Sequence, residues 1–131
     1  MSSNSTILTA FNDHFVEFLD DIICVFPDDS DILASKNSAS LIRKANPRLI
    51  IQIWNSYVVG RYKDMIDAGN IDFFINKDYS DDLVHADNSK KIVEVIDRLR
   101  NPIKMMTPED QAKTMKYIQN LTKLSAIYVS A

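Results

Sequence analysis

The sequence predicts an all-α protein: a single compact bundle of five to six helices around a buried central helix at about residues 47–59. Three observations carry that expectation. Only two Gly and four Pro occur in 131 residues, whereas all-β folds and nucleotide-binding α/β folds rely on Gly for turns and phosphate loops. Apolar residues recur at spacings of three and four along most of the chain, the period of a helix with one buried face. The apolar stretches are punctuated by Asn, Asp or Thr before and by Gly or Pro after, as helix ends are. With 46% hydrophobic and 25% charged residues, the chain reads as one soluble domain able to bury a core.

The first helix, capped by Ser5 or Thr6, carries Phe11, Phe15, Phe18, Ile22 and Val25 on one stripe and ends before Pro27. Asp28-Asp29-Ser30-Asp31 is a turn with several N-cap candidates. A second helix follows to about Ala45, with Ile32, Leu33, Leu41 and Ile42 as its apolar positions. Asn46-Pro47 predicts the start of the central helix, with Asn as the cap and Pro at the first helical position. Leu49, Ile50, Ile53, Trp54, Tyr57 and Val58 give that helix a face too wide for the surface. Gly60 is a candidate bend, and Gly69 a stop. A short helical stretch capped by Asn70 precedes a polar connection from Lys77 to Ala86. Asp87 or Asn88 begins a fifth helix carrying Ile92, Val93, Val95, Ile96 and Leu99, which Asn101-Pro102 ends or kinks. Thr107-Pro108-Glu109-Asp110 opens a last helix to about Tyr128, with Met115, Ile118, Leu121, Leu124 and Tyr128 inward.

Charge falls into four blocks of alternating sign. Residues 1–35 hold seven acids (Asp13, Glu17, Asp20, Asp21, Asp28, Asp29 and Asp31) and no Lys or Arg. Residues 36–63 hold six bases (Lys36, Arg43, Lys44, Arg48, Arg61 and Lys63) and no acid. Residues 64–87 are acidic again, and residues 88–131 basic. The net charge of −3 conceals this segregation. The block boundaries fall near the predicted helix boundaries, so each sign belongs to a packing unit. Complementary faces of this kind orient docking, either between helices of one chain or between subunits.

Residues that bear chemistry are few. Cys24 is the lone cysteine and stands in the apolar run Ile22–Phe26, where it reads as a small core residue. That fits a reducing intracellular compartment, cytoplasm or nucleus. The two histidines, His14 and His85, are far apart. His14 reads as a solvated residue on the polar flank of the first helix. Asn76, Asp78, Ser80, Asp82 and Asp87 imitate a calcium loop, but Asp81 replaces the turn glycine and Asp87 the bidentate Glu. Asp13, Glu17 and Asp21 lie one turn apart and read as a solvated or docking acidic face before they read as a cation site. No Gly-rich phosphate loop, nucleophile elbow or zinc ligand set occurs. The expectation is no enzyme, no metal and no cofactor.

Two binding readings follow. The basic block 36–63, with Trp54, Tyr57 and Tyr62 among its bases, has the composition of a nucleic-acid surface. Flanking Asp blocks oppose a polyanion, and Trp54 and Tyr57 share the apolar face. Protein contact explains the blocks better: Asp13, Glu17, Asp20 and Asp21 on one side, Arg43, Lys44, Arg48, Arg61 and Lys63 on the other, and Phe73, Phe74 and Tyr79 as apolar anchors. No stretch approaches the ~20 apolar residues of a membrane span, and the N-terminus lacks the basic region of a secretory leader.

Three stretches carry a resemblance: Asn46-Pro47-Arg48-Leu49-Ile50, then Asn70-Ile71-Asp72-Phe73-Phe74 with Lys77-Asp78-Tyr79, and Lys116-Tyr117-Ile118-Gln119-Asn120-Leu121. With them the chain resembles small helical proteins of unassigned role encoded by large DNA viruses of algae and protists. The resemblance implies a viral origin, and a small viral protein without a catalytic set fits a virion component. The expected function is therefore a non-enzymatic structural protein, a minor capsid or cement protein that docks on capsid proteins or on copies of itself. The alternatives are a nucleic-acid-binding accessory factor and a host-interaction or regulatory helical module.

Overall fold

The computed structural model describes residues 2–72, 94–96 and 98–130, apart from the side chains of residues 2–4, 57, 61 and 130. Its elements are α1 (Ser2–Val25), α2 (Ser30–Ala45), α3 (Leu49–Ile53), a π-helical segment (Trp54–Val59), α4 (Gly60–Asp67), α5 (Arg100–Lys104) and α6 (Pro108–Ser130). No strand occurs among the described residues, and the protein is an all-α helical bundle.

α1 supplies one wall of the core. Phe11, Phe15, Phe18, Leu19 and Ile22 are all buried, and each such side chain contributes about 1.5–3 kcal/mol by leaving water. The helix starts four residues before the predicted Thr6 cap. Cys24 is exposed, against the expectation of a core position. It lies on the polar stripe of Asp13, Glu17 and Asp20, at the i+4 and i+7 positions that helical geometry brings to one side.

α2 returns antiparallel to α1. Its N-cap is Asp29, whose carboxylate accepts from the backbone N–H groups of Asp31 and Ile32 at 3.0 and 3.3 Å. Lys36 binds Asp20 and Arg43 binds Asp13, so the numbers fall along α1 as they rise along α2. The inward face differs from the one expected. Ile32, Ser35 and Ala39 are buried with Ile42 packed beside them, while Leu33 and Leu41 face outward. Ser35 and Ala39 are small enough to let the two helix backbones approach, and a 3.6-residue period centred on them turns 33 and 41 away.

The central helix begins two residues later than Asn46-Pro47 predicts. Asn46 closes α2 instead, its N–H donating to Ile42 O at 2.7 Å. Its side-chain oxygen accepts from Arg48 N at 3.3 Å, and Pro47 O accepts from the Asn12 side chain at 2.9 Å. The dipeptide is thus a turn tied to α1. Ile50, Ile51, Ile53, Trp54 and Val58 are buried, as expected of the central helix. The irregularity attributed to Gly60 lies on either side of it: Gly60 itself is helical, its N–H reaching back five residues to Asn55 O, and Tyr62 is the non-helical residue at φ −128°, ψ 19°. Gly69 ends α4 as expected. At φ +72° it donates to Ile66 O while Asn70 donates to Met65 O, the paired bonds of a Schellman stop.

Pro102 neither ends nor precedes a helix. It occupies the third residue of α5, where the missing N–H has no intrahelical acceptor to lose, and the chain turns at Leu99 instead. Thr107 caps α6 as expected, its hydroxyl accepting from Asp110 N at 3.2 Å. α6 runs antiparallel to α1: Tyr117 lies against His14 and Phe18, while the end of α1 at Val25 and Phe26 borders Pro102 and Met105, just before α6 begins. Met115, Ile118 and Leu121 are buried, with Leu124 and Tyr128 packed against the core. Two glutamines of α6 hold helix ends, Gln111 the Ile103 carbonyl and Gln119 the Ile66 carbonyl. The fifth helix before residue 94, the stretch from 73 to 76 and the loop at 76–87 lie outside the described residues.

Candidate functional site

The segregated charges meet first within the chain. Asp13 on α1 holds Arg43 on α2 at 2.6 Å, and Asp20 holds Lys36 two turns further along. Lys63 donates to Asp67 one turn on at 2.8 Å; that hydrogen bond, then the charges of Asp67 and Asp64, raises the Lys63 pKa. Half of the six bases in the second block are therefore matched by carboxylates. Lys44 and Arg48 are exposed and have no ion pair among the described residues. The Arg61 side chain, Phe73, Phe74 and Tyr79 lie outside the description, as does His85.

The charges of the α1 acids also reach Tyr117 on α6. Tyr117 stacks on Phe18 at 5.5 Å between ring centroids and lies tilted at 34° to His14 at 4.8 Å. Burial raises the pKa of its hydroxyl, and the charges of Asp21, Glu17 and Asp20 add to the rise. His14 is not the solvated residue expected. Its Nδ1 lies 3.6 Å from Glu17, and its Nε2 is buried without a hydrogen-bond partner. Tyr117 roofs the ring over because helical spacing places His14 and Phe18 on the side of α1 that meets α6. Of Asp13, Glu17 and Asp21, Asp13 pairs with α2 and Glu17 lies beside His14 of its own helix. Among the described residues no group of three His, Cys, Asp or Glu is arranged to hold a metal ion.

Apolar surface is the other component of a docking site. On α2, Leu33 is 42% and Leu41 67% exposed, one turn on either side of the exposed Asn37. Ser30, Leu33, Asn37, Leu41 and Lys44 form one outward stripe, with Ala34 and Ala45 beside it. This stripe is the surface that the sequence reading missed. The signal was present in the small, evenly spaced Ser35 and Ala39, which mark the opposite face as the close-packed one. A second apolar area lies where α1 ends: Val25 and Met105, the latter 76% exposed, border a shallow groove with Phe26, Pro27 and Pro102.

No helix among the described residues is long and apolar enough to cross a membrane. Comparison of the chain with protein-family models, with curated proteins and with solved structures finds no match.

Proposed function

We propose that this chain is a non-enzymatic structural protein that docks other protein subunits through the outward face of its α1–α2 hairpin. The observation that carries the reading is the exposed stripe of α2: two leucines in water, between a helix start rich in Asp and a helix end carrying Lys44, with Arg48 just beyond it. Buried anchors with a charged rim are the usual anatomy of protein interfaces. Asp13–Arg43 and Asp20–Lys36 hold the hairpin that presents this face. In the form implied by the resemblance to small helical proteins of large DNA viruses, the chain is a minor capsid or cement component of the virion. Proteomics of purified particles, with cross-linking to locate neighbours, tests it. The expected result is enrichment with the particles and cross-links from Lys44 to other virion proteins or to a second copy. A strictly monomeric protein absent from the particles overturns it.

A further inference from the structure

We infer that α2 pairs with α2 of a second copy of this chain across a two-fold axis through Asn37, setting Leu33 of each copy level with Leu41 of the other. The inference deepens the docking reading above and rests on it. Its basis is a symmetry in the outward stripe. At 3.6 residues per turn, Ser30, Leu33, Asn37, Leu41 and Lys44 fall within about 40° of one line down the helix. Reversing α2 about Asn37 exchanges Leu33 with Leu41 and Ser30 with Lys44, so the stripe lies against a reversed copy of itself apolar to apolar. A two-fold interface requires that self-complementarity.

Charge selects the second copy as the occupant. Asp28 and Asp29 lead into α2 and Asp31 lies in its first turn, while Lys44 lies in its last turn and Arg48 follows just beyond it. Asp28 and Asp31 are exposed, and Lys44 and Arg48 have no ion pair among the described residues. Antiparallel pairing lays the acidic start of each helix beside the basic end of the other, and it opposes the two helix dipoles. Ala34 and Ala45 beside the stripe let the helices approach closely. Asn37 on the axis meets its own copy, a polar pair of the kind that defines register in paired helices. α2 has 16 residues and is about 24 Å long. One contact of that length falls short of the ~1,200 Å² of a stable interface, so the pair is weak and concentration-dependent. Weak contacts of this kind suit a subunit that is reinforced by neighbours in an assembly.

Cysteine cross-linking tests the register. In a Cys24→Ser background, Asn37→Cys is expected to form a disulfide-linked dimer under mild oxidation. Ser30→Cys is expected not to, because its copy lies about 21 Å away along the helix. Sedimentation velocity is expected to show mass rising with concentration above 15.0 kDa, and Leu41→Asp to abolish the rise with unchanged helicity. Equal cross-linking at 30 and 37, or a monomer at the highest attainable concentration, overturns the pairing. The two readings fail separately. If Leu41→Asp removes the chain from particles while the wild type is monomeric, the docking reading stands and self-pairing falls. If Asn37→Cys cross-links and Leu41→Asp yields a monomer, self-pairing stands even when the chain is absent from particles.

Discussion

α1 is joined to α2 and to the central helix in different ways. Toward α2 its polar contacts are Asp13–Arg43 and Asp20–Lys36, both at the water-exposed rim above a bed of small residues. Toward the central helix the contact is aromatic and closed. Trp54 meets Phe11 and Phe15 edge to face at 6.3 and 6.2 Å, and its indole N–H donates to the Thr122 hydroxyl on α6 at 3.2 Å. Water decides what each arrangement is worth. An exposed ion pair exchanges good hydration for a modest attraction and contributes about 0–1 kcal/mol. A buried donor has no water to return to, so losing its acceptor leaves about 1–3 kcal/mol uncompensated. The aromatic side therefore holds the fold, and the charged side sets the orientation of α2.

Trp54→Ala attacks the comparison where the effect is largest. It is expected to destabilise the protein by about 3–5 kcal/mol, because the cavity lies between three helices that cannot all close on it. Urea unfolding followed by circular dichroism measures this, and a loss below that of the rim substitutions refutes the ranking. Thr122→Val keeps the volume and removes the acceptor of the indole N–H. About 1–3 kcal/mol is expected, read in the same experiment.

Tyr117 stands between the two regimes, packed on Phe18 and His14 and within reach of the charges of the α1 acids. Its pKa is raised above the ordinary 10.0, first by burial and then by Asp21, Glu17 and Asp20. The neutral phenol is thus favoured by the fold. Its contribution is whole below pH 10 and is lost as pH rises through the folded value. Tyr117→Phe is expected to flatten the alkaline fall in stability, and phenolate absorbance follows the titration directly. The smallest effect belongs to the rim. A double-mutant cycle of Asp13→Ala and Arg43→Ala is expected to give a coupling of about 0.2–1 kcal/mol that shrinks in high salt. Lys44 offers a separate check: Lys44→Ala is expected to leave stability unchanged while weakening subunit docking. Salt-sensitive binding of DNA or RNA that Lys44→Ala reduces would instead favour the nucleic-acid reading.

The features legible in the sequence were those set within a few residues. The stripe from Phe11 to Ile22, the Asp29 and Thr107 caps and the Gly69 stop each depend on local geometry, and each stands where the pattern predicts, whereas Val25, expected on the same stripe, is exposed. Features set by a neighbour were not legible. Hydrophobicity alone placed Leu33 and Leu41 inside and Cys24 in the core, yet the inward face of α2 follows from how closely its backbone lies on α1. His14 reads as solvated until Tyr117 covers it, and Asn46-Pro47 reads as a helix start until Asn12 ties down the Pro47 carbonyl. The charge blocks show the same division. Their order and sign are properties of the chain, but only the antiparallel hairpin decides that Asp13 and Asp20 meet Arg43 and Lys36. Helix periods and caps arise from contacts three or four residues apart, so the sequence by itself determined α1, α2, the central helix and α6 and most of their ends. Which face of α2 is buried, and which charges it leaves for a partner, depends on contacts sixteen to thirty residues apart, and only the tertiary structure decided those.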